Sequence, residues 1–70
     1  MLNLSEKLRI AMIKLNVTQT QLAERSNQTQ ANLGNKLARN DFKLSEYDRL
    51  VTALGCELEV TIKLPNGERL

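Results

Sequence analysis

The stretch VTQTQLAERSNQTQANL, residues 17–33, carries two helix-start signals so close together that only a short helix and a tight turn fit between them. Thr18 with Gln21 is a capping box, in which the threonine hydroxyl accepts a first-turn N–H and the glutamine reaches back to the cap's own N–H. Val17 and Leu22 stand at the positions of a hydrophobic staple around that cap. A helix is therefore predicted from Gln19 to about Arg25. Asn27 tolerates the left-handed conformation that ends it, and Thr29 is the N-cap of a further helix running to about Ala38. Only Ser26, Asn27 and Gln28 lie between the two.

Two short helices across so tight a connection are the arrangement of a helix-turn-helix. Upstream, Leu4, Leu8, Ala11, Met12 and Leu15 form one face of a helical repeat, with Ile10 and Ile13 on a second apolar flank. Asn3 with Glu6 starts that first helix, and Asn16 can end it. Downstream, Phe42 is expected to drop back into the core. Ser45 and Asp48 read as a capping box for a fourth helix, Leu50, Val51 and Leu54 as its inner face, and Gly55 as its C-terminal cap.

After Gly55 the period changes to two, with Leu58, Val60, Ile62 and Leu64 on one side of CELEVTIKL. Pro65, Asn66 and Gly67 give a turn, but only Glu68, Arg69 and Leu70 follow it. A strand of that length either lies on its own helices with an open edge or pairs with another molecule. The predicted class is mainly α: a four-helix domain over residues 1–55, then a β-strand or short hairpin over residues 56–70 that belongs to the same domain.

A chain of 70 residues buries only about 60% of its extended surface, so its core is often completed by a staple or a partner. Cys56 is the one cysteine and there is no histidine, which removes an internal disulfide and a plausible zinc site. Self-association is thus an option from the outset. No apolar run is long enough to span a membrane and no signal-like segment opens the chain, so a cytoplasmic setting is expected. An enzyme is not expected, because Ser26 and Cys56 have no base partner and no paired carboxylates sit in an apolar setting. Neither a cofactor nor a small-molecule ligand is expected.

Charge divides the chain. Between residues 25 and 43, Arg25, Lys36, Arg39 and Lys43 oppose Asp41, a balance of +3. Between residues 44 and 62, Glu46, Asp48, Glu57 and Glu59 oppose Arg49, a balance of −3. One segment suits a polyanion and the next does not.

The order of elements resembles the Xre/Cro-type, lambda-repressor-like helix-turn-helix proteins of bacteria and phages. The residues that carry the resemblance are Leu8 and Arg9, NVTQTQLAERSNQTQANL over residues 16–33, and LVTALG over residues 50–55. Where many members have Gly, this chain has Asn16 and Asn27. Where many pair a buried Arg with a Glu, it has Met12 and Leu37, both apolar. The resemblance implies a recognition helix starting after Thr29 and double-stranded DNA as partner.

On that helix Gln30, Ala31, Asn32 and Asn35 are the expected base contacts. Gln and Asn can bond adenine bidentately, and Ala can touch a thymine methyl. Gln19, Thr29, Lys36, Arg39, Asn40 and Lys43 are the expected phosphate contacts, with Arg9, Lys14 and Arg25 as ordinary solvated charges. Gly34 either lets the backbone approach the groove or is tolerated because the site is exposed. Specificity from one short helix calls for a two-fold homodimer, with Leu58, Val60, Ile62 and Leu64 as the interface. The expected function is a transcriptional regulator, with a repressor favoured. The alternative is an antitoxin-like or antirepressor module that chiefly binds another protein through the tail.

Overall fold

A computed structural model describes residues 2–70. Among the described residues four helices form: α1 (Leu4–Leu15), α2 (Gln19–Arg25), α3 (Gln30–Arg39) and α4 (Leu44–Ala53). The first three start where their caps dictate. Asn3 Oδ1 accepts the Glu6 N–H at 2.8 Å. Thr18 and Gln21 exchange both bonds of the capping box, and Thr29 Oγ1 accepts the Asn32 N–H at 3.1 Å.

The fourth start differs from expectation. The helix begins after Lys43, which makes no side-chain cap bond, and the Ser45–Asp48 box does not form. Starting there lets the Tyr47 N–H reach the Lys43 carbonyl at 3.0 Å and turns Tyr47, Leu50, Val51 and Leu54 inward. Burying a large side chain contributes about 1.5–3 kcal/mol, whereas a cap contributes typically about 1 kcal/mol. Packing wins.

All four helices end in the same way. Asn16, Asn27, Asn40 and Gly55 take positive φ, at 55°, 59°, 52° and 77°. In each case that residue's N–H returns to the carbonyl three residues back, and the next N–H to the carbonyl five back: Val17 to Met12, Gln28 to Ala23, Asp41 to Lys36, Cys56 to Val51. This is the Schellman pattern, which satisfies carbonyls that a helix end leaves without partners.

The buried cluster takes Leu8 and Met12 from α1, Leu22 and Ala23 from α2, Leu33 and Leu37 from α3, and Tyr47, Leu50, Val51 and Leu54 from α4 and its cap. Met12 and Leu37, both apolar, belong to it. Phe42 is half-buried and meets the Tyr47 ring edge-on, with centroids 5.3 Å apart.

The stripe on α1 is narrower than its apolar spacing predicts. Leu4 and Leu15 are exposed, and the buried positions are Ser5, Leu8 and Met12. Ser5 belongs there because its short side chain lets α1 come close to the end of α3. Its hydroxyl donates to the Leu37 carbonyl at 2.7 Å, and its N–H donates to Asn40 Oδ1 at 2.9 Å. The Tyr47 hydroxyl donates to the Leu4 carbonyl at 2.8 Å. The first turn of α1 is thus fastened to α3 and α4.

Asn40 does two jobs, which makes its replacement costly. Asn40→Ala replaces a side chain that tolerates the left-handed region with one that does not, and leaves the first-turn N–H of buried Ser5 without its acceptor. Each effect is worth about 1–2 kcal/mol, so urea unfolding should show a loss of about 2–4 kcal/mol. Asn40→Gly, which keeps the backbone conformation, should lose roughly half of that.

The predicted C-terminal strand over residues 57–64 does not form. Among the described residues there is one isolated antiparallel bridge, Lys63 with Arg69. Ile62 and Leu70 exchange two backbone hydrogen bonds, and the Leu64 N–H donates to the Glu68 carbonyl at 2.7 Å. The return from the turn reaches back only as far as Ile62, so residues 57–61 have no neighbouring chain to supply a ladder. Leu58 and Leu64 are half-buried, Leu58 against the core, while Val60 and Ile62 are 62% and 60% exposed. The tail is not packed over the Ile10 and Ile13 flank either, since both side chains are exposed. No helix among the described residues is long and apolar enough to cross a membrane.

Candidate nucleic-acid interface

Helix α3 has two unlike sides. Leu33 and Leu37 are buried, while Gln30, Ala31, Asn32 and Asn35 are exposed, and Gly34 and Lys36 are intermediate. Ala31, Asn32 and Asn35 therefore lie on the outer side of α3, and Gln30, exposed in its first turn, lies on the flank that meets α2. The outer side is set by the inward leucines four residues apart.

The start of α3 is braced by α2. The Thr20 hydroxyl donates to Gln30 Oε1 at 3.0 Å, and Gln19 Nε2 donates to the Gln30 carbonyl at 3.4 Å. Gln19, expected on a phosphate, is half-buried and spends its amide within the chain. Thr20 was not among the expected site residues, although its place beside the Thr18 cap could have marked it. Thr29 is exposed and uses its hydroxyl as the cap of α3. The turn carries one oddity: buried Gln28 Oε1 has no hydrogen-bond partner, while its amide nitrogen donates to Ser26 Oγ at 3.0 Å.

Gly34 has a local reason. A β-carbon there would meet Gln19 Nε2 at 3.0 Å, so the glycine makes room for the bridging side chain. That contact is with the far end of a flexible side chain, and the bond it would disturb is long. A mid-helix Gly costs about 0.8–1.0 kcal/mol relative to Ala. Gly34→Ala should therefore raise stability by up to about 1 kcal/mol in a urea titration. A net loss would mean that the Gln19 bridge outweighs the helix propensity.

The cations gather beside this surface. Asn32, Asn35, Lys36, Arg39, Asp41, Lys43 and Glu46 line a cleft of about 310 Å³ between the outer side of α3 and the start of α4. Arg39 and Lys43 are exposed there. Lys36 is not simply presented to solvent: its Nζ lies 3.1 Å from Glu46 Oε2. The Lys36 hydrogen bond, with the Lys43 charge and backbone adding to it, holds the Glu46 carboxyl below its ordinary 4.5, against an opposing effect of desolvation. Nothing in the sequence marked Glu46, because its partner lies on another helix.

Asn40, also expected on a phosphate, is the helix end and the acceptor for Ser5. Elsewhere, a groove of about 510 Å³ runs between α1, α4 and the tail, with Leu4, Ala11, Leu44, Tyr47, Leu58 and Val60 among its lining. Among the described residues no group of three or more His, Cys, Asp or Glu could hold a metal ion. No family model, no curated protein and no solved structure matches the chain.

Proposed function

We propose that the protein is a sequence-specific double-stranded DNA-binding regulator, a repressor of the Xre/Cro helix-turn-helix type, that inserts α3 into the major groove. The observation that carries this reading is the exposed surface of α3: Gln30, Ala31, Asn32 and Asn35 are all open to solvent, on a helix capped by Thr29 and braced by Thr20 and Gln19. Amides present a donor and an acceptor to base edges, and a braced Gln30 has less side-chain entropy to lose on binding. Arg39 and Lys43 would neutralise phosphates on the flank.

The working form is a homodimer. Residues 57–61 have an edge without a ladder, and Val60 and Ile62 stand in solvent. Pairing with the twin segment across a two-fold axis would complete the strand and cover those side chains. Light scattering should give a dimer for the intact chain and a monomer or an unfolded chain after truncation at Gly55.

Binding itself is tested by fluorescence anisotropy on a mixed-sequence duplex. The logarithm of the binding constant should fall linearly with the logarithm of salt, by about 0.9 for each phosphate neutralised. Absence of binding, or binding indifferent to salt, contradicts the proposal. A second reading, a module that binds another protein, draws on one observation: Leu44 is 63% exposed beside the apolar groove, next to exposed Val60. It gains if replacing Gln30, Asn32 and Asn35 leaves DNA binding unchanged.

A further inference from the structure

We infer that Glu46 is a positioning residue that withholds Lys36 from phosphates, so that α3 grips DNA of arbitrary sequence less tightly than its cations would allow; this rests on the DNA-binding reading above. Lys36 lines a cleft with Asn32 and Asn35. Among the described residues it is also the cation held in an ion pair, at 3.1 Å and with both side chains about one-third exposed, 31% and 30%. Arg39 and Lys43 line the same cleft and are open to solvent.

Phosphate contacts carry no sequence information, whereas amide contacts do. A lysine held on an internal carboxylate contributes little to the sequence-independent part of binding. The carboxylate holds Lys36 Nζ at 3.1 Å and would repel an approaching phosphate. An exposed ion pair is weak enough to be lost without harm to the fold. Glu46 therefore acts on binding more than on stability.

The experiment measures affinity and salt slope on a mixed-sequence duplex for the intact protein and for Glu46→Gln. Glu46→Gln should bind on the order of fivefold tighter, with a slope steeper by about 0.9 as one more counterion is released. Asp48→Asn removes the same charge from an exposed position on the same helix and should change neither by as much. In a Lys36→Gln background, Glu46→Gln should add nothing to the slope. Glu46→Asp, a shorter carboxylate, should fall between wild type and Glu46→Gln.

An effect equal to that of Asp48→Asn, or one that persists without Lys36, would reduce Glu46 to net charge and overturn the inference. If wild-type protein binds the duplex and Glu46→Gln binds identically, the inference fails while the DNA reading stands. If no variant binds duplex at all, the DNA reading falls and takes this inference with it. Far-ultraviolet circular dichroism of each variant separates lost binding from lost fold.

Discussion

Leu33→Ala is expected to remove a large part of the protein's stability, lowering the thermal midpoint by roughly 8–40 °C at about 4–8 °C per kcal/mol. Leu33 is 0% exposed, on the inner face of α3, the helix against which both α1 and α2 pack. Truncating a buried Leu costs about 2–5 kcal/mol, part from lost transfer energy and part from the cavity left behind. A domain of this length has roughly 3–10 kcal/mol in all. The same site positions the proposed binding face, so on the DNA reading a partly unfolded Leu33→Ala chain should lose DNA binding as well. Ile13→Ala is the natural contrast: Ile13 is 77% exposed, and its loss should stay within about 0.5 kcal/mol. Thermal unfolding followed by circular dichroism compares the two. A loss at Leu33 under about 1 kcal/mol would mean that the core does not depend on α3 as described.

The second large effect concerns binding alone. Gln30→Ala and Asn32→Ala should each weaken binding to the preferred site by about 1–3 kcal/mol and leave binding to mixed sequence nearly unchanged. Both side chains are exposed, so the fold should survive either change. The Thr20 hydroxyl, which donates to Gln30 Oε1, would lose that acceptor but remains open to water. Arg39→Ala and Lys43→Ala should do the reverse, weakening all sequences alike and lowering the salt slope by about 1 each. Competition titrations with preferred and scrambled duplexes separate the two patterns. Equal losses on both duplexes for the amide variants would place the sequence reading elsewhere.

What the sequence makes legible, and what it hides, divides along a physical line. Helix starts at Asn3, Thr18 and Thr29 are readable because each cap acts on an N–H within its own first turn. The ends at Asn16, Asn27 and Gly55 are readable because few residues accept positive φ. Asn40 obeys the same rule, yet its neighbour Asp41 makes it look like the tip of a loop beside a phosphate. The start of α4 is hidden, since it is decided by where Tyr47 must go and not by the Ser45 hydroxyl. Apolar and polar residues alternate with a period of two over residues 58–64, but a period does not provide a second strand. The Lys36–Glu46 pair and the Gln19–Gly34 fit depend on how α3 lies against α4 and α2. Only the packed helices bring those side chains together.

The most direct measurement is selection of bound duplexes from a randomised pool, run with the wild-type protein and with a Gln30→Ala, Asn32→Ala double variant shown by circular dichroism to be folded. The wild type should enrich one two-fold-related site, its halves about one helical turn apart, and the double variant should lose that enrichment while keeping salt-sensitive binding. If the wild type enriches no sequence, or the double variant enriches the same one, α3 is not a reading helix.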